Sequence, residues 1–203
     1  MAELSFNEIE LGMRKACSVL GCDYGVAEEF GRAAVWLVRH SRISLEPLLE
    51  LSETAPVLPD IRNMEFGWET DHPLALACIS AFDLVAAMPG RRFRFRRWKG
   101  GIESAVALAG AASLSYGTGF RFRTSRFLLT VGATGFDGKI PDPGAETRLD
   151  IEAGPDQVSC PIPKQERGSV PDNVWERICR LAEQTYVPAS EMSRQLGAGA
   201  ESG

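Results

Sequence analysis

Five charged and aromatic side chains recur at helical spacing within one short stretch of the chain. Glu28, Arg32, Trp36 and His40 follow one another at steps of four residues, and Glu29 lies three residues before Arg32. Side chains three or four residues apart share one face of a helix. They could line a small-molecule cleft, with Glu28 or Glu29 as a general base and Arg32 as a clamp for an anion. The alternative is a solvated surface with a salt bridge and an arginine stacked on indole.

The C-terminal segment holds a second candidate group. Tyr186, Ser190, Glu191, Ser193 and Arg194 lie close together in the sequence, and Ser190 is well placed to cap a short helix. A helix start with serine hydroxyls and an arginine can bind an anion. The alternative is that Ser190 is only a cap and that Arg194 is solvated. The predicted ligand-binding residues of the two groups are Arg32, Trp36, Tyr186, Ser190, Ser193 and Arg194.

Two further stretches alternate arginine with phenylalanine. Residues 93–96 and 120–123 both read Phe-Arg-Phe-Arg, which is typical of half-buried strands. If these strands pair, one sheet face is lined with arginines, and Trp98 on that face could stack on the bases of a single-stranded nucleic acid. The chain is acidic overall and lacks an RNP or KH signature, which argues against nucleic acid. The alternative is that the arginines pair with acidic residues of the same chain or of a second subunit.

The charged residues are segregated along the sequence. The 203 residues carry a formal net charge of −5. Residues 91–126 contain nine basic residues and one acidic residue, for a net charge of +8, so the remainder carries −13. An acidic protein of this kind is expected to be soluble and not to adhere generally to nucleic acid or to acidic membranes.

Cysteines, histidines and apolar stretches bear on location and cofactors. Five cysteines occur with no secretory signal after Met1, which predicts reduced thiols in the cytoplasm. With two histidines and no CxxC pair, the sequence predicts neither a metal site nor another cofactor. The longest apolar stretch, residues 73–88, is interrupted by Asp83 and is too short to span a bilayer, so no membrane segment is expected.

These candidate residues must be positioned by a mixture of helices and strands. Ser5 and Glu8 form a capping box that starts a first helix, and Gly21 ends it before a second helix that runs to about His40. The short turn predicts an antiparallel helix pair. The pattern also predicts helices at 44–53, 73–88, 171–185 and in the alanine-rich stretch after residue 101, and strands at 93–96, 120–123, 127–131 and 147–151. Asp83 is expected on the solvent side of its helix.

Taken together, these patterns predict an α+β protein. Residues 1–196 are expected to form a single domain with an N-terminal helix pair, further helices, a small and mostly antiparallel sheet, and a C-terminal helix. Residues 197–203, rich in glycine and alanine, are expected to form a mobile tail. Exposed aromatic and apolar residues on such a protein could also support a homodimer.

Motifs at both ends of the chain resemble those of a known protein family. They are LSFNEIE at residues 4–10, GVAEEFG at 25–31 and WL at 36–37, then TYVPASE at 185–191, SR at 193–194 and GAGA at 197–200. They resemble an uncharacterised family of bacterial, mainly proteobacterial, proteins of unknown function, and the resemblance implies no known activity. The sequence favours a small-molecule binding or accessory protein with an anionic metabolite as ligand. The alternative is an enzyme that acts on a small polar acid with a glutamate base and an arginine clamp.

Overall fold

A computed structural model describes residues 1–40, 43–53, 60–71, 77–98, 101–140, 147–159 and 161–185. Its helices are α1 (Phe6–Val19), α2 (Tyr24–His40), α3 (Glu46–Glu53), α4 (Ala77–Ala87), α5 (Ile102–Tyr116) and α6 (Asp172–Glu183). Its strands are β1 (Ala2–Leu4), β2 (Ile61–Met64), β3 (Gly67–Thr70), β4 (Arg92–Trp98), β5 (Gly119–Arg123), β6 (Leu128–Gly132), β7 (Gly135–Asp137), β8 (Thr147–Gly154) and β9 (Gly168–Val170). The predicted α+β class is confirmed.

The first helix begins as its sequence predicts. The Ser5 hydroxyl accepts a hydrogen bond from the Glu8 backbone N–H at 3.2 Å, and the Glu8 carboxylate accepts one from the Ser5 backbone N–H at 2.8 Å. These bonds satisfy two amide groups that have no partner within the helix. Ile9 and Met13 point into the core, where α1 packs on α2 and α6. The helix pair therefore contributes to the hydrophobic core.

Seven strands form one sheet in the order β2-β3-β4-β8-β5-β6-β7. Within it β3 and β4 run parallel, and the other paired neighbours are antiparallel. Strands β1 and β9 pair separately as a small antiparallel ribbon. All four strands that the sequence predicts are present, whereas β2 and β3 occur in a part of the chain for which no strand is predicted.

The two faces of the large sheet have opposite character. Phe93, Phe95, Phe120 and Phe122 are fully buried on one face, against which α4 and α5 pack. Side chains alternate across a strand, so the arginines between these phenylalanines lie on the other face. We call this second surface the arginine face. It is formed by Arg92, Arg94, Arg121, Arg123 and Arg148 together with Asp150 and Glu152.

A glycine brings α2 close to α5. A Cβ atom on Gly110 of α5 would lie 2.0 Å from Cε2 of Trp36, so the indole ring rests directly on the glycine backbone. The Trp36 indole N–H donates to the carbonyl of Ala133 at 3.0 Å, which ties α2 to the turn after β6. This packing sets the position of α2 relative to the helices on the sheet.

Several sequence predictions lie outside the described residues. Among them are the first turn of the helix predicted from Pro73 and the tail predicted at 197–203. The single-domain assignment stays a prediction. Across the ranges that the structure describes, no helix has the length and apolar character needed to cross a membrane.

Candidate functional site

A cleft opens where α2, α4 and α5 meet. Its volume is about 110 Å³. The floor is apolar and the rim is polar. The floor is lined by Ile79, Phe82, Leu108 and Ala112, and the rim by Glu29, Arg32, Asp83, Ser115 and Tyr116. An apolar cavity with a few convergent polar groups is the usual form of a small-molecule site.

Packing of α4 on the sheet directs one carboxylate to the rim. Phe82 is buried and packs against Phe120 with its ring tilted, the ring centroids being 4.8 Å apart. Because adjacent residues on a helix point about 100° apart, Asp83 turns outward beside it. The hydroxyl of Tyr116, in the last turn of α5, donates to Asp83 Oδ1 at 2.7 Å. Asp83 is exposed as predicted, but it lies at the cleft and has a partner there.

Arg32 is held by two carboxylates at once. Its guanidinium lies 2.7 Å from Glu29 Oε1 and 3.1 Å from Glu28 Oε1. Glu29 lines the cleft, while Glu28 lies just outside the lining. With Asp83, which also lines the rim, the cleft and its edge hold three carboxyl groups and one guanidinium.

Two groups on the rim have perturbed pKa values. Burial is the main cause that raises the pKa of Glu29, opposed by Arg32 and reinforced by Asp83 and Glu28. The hydrogen bond to Asp83 is the main cause that raises the pKa of Tyr116 to about 12. Tyr116 is therefore a hydrogen-bond donor at any physiological pH, and Glu29 exchanges its proton at a higher pH than an ordinary glutamate. Perturbed groups gathered in a cleft are typical of functional sites.

The predicted helical stripe divides between the cleft and the core. Glu29 and Arg32 meet at the rim as expected, but the prediction that Trp36 and His40 share their surface is wrong. Trp36 is 1% exposed and His40 is 5% exposed. Each step of four residues advances about 40° around an α-helix, so three steps carry the stripe about 120°, from the rim to the buried side of α2.

The second predicted group cannot be placed against the first. Tyr186, Ser190, Glu191, Ser193 and Arg194 lie outside the described residues. The residues that complete the cleft were instead Asp83, a lone charge in an apolar helix, and Tyr116, for which the sequence holds no comparable pattern. The charge of Asp83 within an apolar helix is therefore the sequence feature that could have indicated a role in the cleft.

Ion pairs within the chain compensate part of the positive charge of the arginine face. Asp150 Oδ1 lies 2.8 Å from Arg94 Nε, and Asp150 Oδ2 lies 2.9 Å from Arg148 Nη2. Burial acts to raise the pKa of Asp150, but the hydrogen bonds from Arg148 and Arg94 outweigh it and lower the pKa overall. The proposed stacking platform was wrong, because a register shift between Phe95 and Trp98 turns the indole inward, where it is 4% exposed.

Comparison with known proteins identifies no activity. No curated protein and no solved structure matches this chain. The segment that matches a family model spans α1 to β3 and includes Glu29 and Arg32, but it excludes Asp83, Tyr116 and the arginine face. The bacterial origin, the C-terminal motifs, the cytoplasmic location and the homodimer stay predictions. Residues 4–77 match an uncharacterised family, described as a protein of unknown function (DUF3726).

Proposed function

We propose that the cleft between α2, α4 and α5 binds a small molecule that presents a cationic amine, so that the protein acts as a small-molecule binding or accessory protein. The observation that carries this proposal is the excess of carboxylates around an apolar floor. Glu29 and Asp83 line the rim together with a single guanidinium, that of Arg32, which pairs with Glu29 and, outside the lining, with Glu28. A cation entering this site gains attraction that the protein's own charges leave unused.

The shape of the cleft limits the size of the ligand. A volume of about 110 Å³ is well below the several hundred Å³ of sites for drug-sized ligands. The floor offers an apolar surface to a short alkyl group, and the rim offers the carboxylates of Glu29 and Asp83 to an ammonium group. A short alkylammonium group matches both features.

An anionic metabolite, the ligand class that the sequence favours, would meet a less favourable field. It would have to displace Glu28 or Glu29 from Arg32 and enter a region of net negative charge. Taking a guanidinium from two carboxylates costs their charge-assisted hydrogen bonds before the ligand gains any. The charges therefore support a cation over an anion in this cleft.

Paired titrations would separate the two ligand classes. Butylammonium and butyrate have similar apolar groups and opposite charge, so each is titrated into the protein while backbone amide shifts of α2, α4 and α5 are followed by NMR. We expect butylammonium to shift these amides and butyrate to leave them unchanged. Removing a carboxylate with E29Q or D83N should weaken butylammonium binding about tenfold, as for loss of a charge-assisted hydrogen bond.

Glu28 provides the matched control. E28Q removes the same charge one residue away from Glu29 but leaves the lining of the cleft intact. We expect it to weaken butylammonium binding by less than about threefold. Tighter binding of butyrate than of butylammonium, or equal losses in E28Q and E29Q, would contradict the proposal.

An enzyme remains the second candidate, because the pKa of Glu29 is raised. Burial makes Glu29 a stronger base than an ordinary glutamate, and general bases work best with a pKa near the operating pH. A panel of small amines and amino acids would be assayed for conversion by mass spectrometry. Turnover that E29Q abolishes while butylammonium still binds would favour the enzyme over the binding protein.

A further inference from the structure

An open groove lies on the arginine face beside the turn between β5 and β6. Its volume is about 510 Å³, within the range of small-molecule sites. Three guanidiniums and one carboxylate contribute to the lining. The lining residues are Arg121, Arg123, Thr124, Ser125, Arg126, Phe127, Leu128 and Glu152.

Two of these arginines have no counterion among the described residues. Arg123 lies opposite Asp150 in the strand register, but Asp150 is already engaged by Arg94 and Arg148. Within the described parts of the chain, the guanidiniums of Arg123 and Arg126 have neither an ion pair nor a hydrogen bond, and both side chains are exposed. Their charge is therefore available to a ligand.

Hydrogen bonds close the turn that connects these two arginines. The hydroxyl of Thr124 accepts hydrogen bonds from the backbone N–H of Arg126 at 3.0 Å and of Phe127 at 3.1 Å. The Thr124 N–H donates to the Phe127 carbonyl at 3.0 Å, which closes the turn. A turn fixed at both ends reduces the entropy that a ligand must remove on binding.

We propose that this groove binds the phosphate group of a small phosphorylated molecule. The guanidiniums of Arg123 and Arg126 make the main contacts with that phosphate. Guanidinium groups bind phosphate through paired, charge-assisted hydrogen bonds. Leu128 is 58% exposed at the groove and Phe127 is partly buried beside it. These two side chains give an apolar group of the same molecule a surface to cover.

Two features favour a small molecule over single-stranded nucleic acid. The Glu152 carboxylate lies opposite Arg121 in the strand register and within the groove lining, where it would repel a continuous phosphate backbone. Non-specific nucleic-acid binders also stack bases on exposed aromatic rings, and Trp98 is buried. The groove provides one compact positive site beside an apolar patch.

Phenyl phosphate carries both a phosphate and an apolar ring and serves as the probe. Inorganic phosphate and phenol test the two groups separately. Binding is measured by isothermal titration calorimetry. We expect phenyl phosphate to bind more tightly than phosphate, and phenol not to bind. R123Q and R126Q should each weaken phenyl phosphate about tenfold. L128S should remove the advantage of phenyl phosphate over phosphate and leave phosphate binding unchanged.

Arg97 supplies a matched control. It is an exposed arginine of β4 that does not line the groove, so R97Q removes the same charge from the same sheet. R97Q should change affinity by less than about twofold, and circular dichroism should show all variants folded. No binding of phenyl phosphate at about 10 mM would overturn the proposal, as would equal weakening by R97Q and R123Q. A thymidine oligonucleotide that binds far more tightly than phenyl phosphate through the same arginines would overturn it in favour of nucleic acid.

Discussion

The helical cleft and the arginine face have opposite charge excesses: carboxylates are in excess in the cleft, and guanidiniums are in excess on the sheet. In the cleft, the single guanidinium of Arg32 is shared by Glu28 and Glu29. On the sheet, the carboxylate of Asp150 is shared by Arg94 and Arg148. In each region the scarcer charge is engaged more than once, and part of the more abundant charge is left over. The comparison teaches that the charge available for binding is the local surplus, which a net charge of −5 for the whole chain conceals.

Removing Asp150 should break the basic half of this comparison. Its side chain is 12% exposed and lies between two arginines, so D150N leaves their charges uncompensated. Because Arg94 and Arg148 keep partial access to solvent, we expect the free energy of unfolding in urea to fall by about 2 kcal/mol. Because the surplus positive charge grows, phenyl phosphate should bind several-fold more tightly to the remaining folded protein.

The control for this change is D60N, at an exposed aspartate in the segment before β2. It removes the same charge, and we expect a change in unfolding free energy within about 0.5 kcal/mol. If D150N were as stable as D60N, Asp150 would not be the residue that holds the arginines together.

A methyl group on Gly110 should disturb the acidic half instead. The new Cβ of G110A would overlap the indole ring of Trp36, which must move together with α2. We expect unfolding free energy to fall by about 1–3 kcal/mol, the usual cost of overpacking. Butylammonium binding should weaken because Glu29 moves with α2, whereas phenyl phosphate binding should persist.

Gly25 tests whether the effect is specific to the packing. It lies in the first turn of α2, and a Cβ there would contact nothing within 4 Å. G25A should therefore be neutral or slightly stabilising, since alanine favours helix over glycine. A comparable loss in thermal denaturation of G25A and G110A would show that the close approach of Trp36 is not the cause.

The parts of this arrangement that could be predicted from the sequence are those set by neighbouring residues. Ser5 and Glu8 cap α1, and alternating phenylalanines place β4 and β5 on the core, because both patterns depend on local geometry alone. The register shift that buries Trp98 depends on pairing with β8, which a single strand does not encode. The same limit applies to the site. Asp83 and Tyr116 meet across 33 positions of sequence, and only the packing of α4 on α5 joins them.

Removing the guanidinium of Arg32 from the cleft should increase the excess of carboxylates there. R32Q leaves Glu28, Glu29 and Asp83 without a cation, so a cationic ligand should gain the attraction that Arg32 now absorbs. We expect butylammonium to bind several-fold more tightly, as followed by NMR titration. The pairs are partly exposed, so unfolding free energy should fall by less than about 1 kcal/mol. Weaker binding in R32Q would mean instead that Arg32 itself contacts the ligand.

The smallest expected effect is a shift in the pH dependence of cation binding. Burial raises the pKa of Glu29 above the value of 4.5 for an ordinary glutamate, so its carboxylate begins to take up a proton while the pH is still above 4.5. A cation binds the ionised form, and protonation therefore weakens binding as the pH falls through this window. As the pH is lowered from 8, butylammonium affinity should begin to fall at a higher pH in the native protein than in E29Q, where the remaining loss would follow other carboxylates.

Because binding favours the ionised form of Glu29, it should also release protons, which calorimetry in two buffers of different ionisation enthalpy would detect. Parallel curves for the native protein and E29Q would mean that Glu29 is not part of the binding surface, and that Asp83 supplies the negative charge that binds the cation.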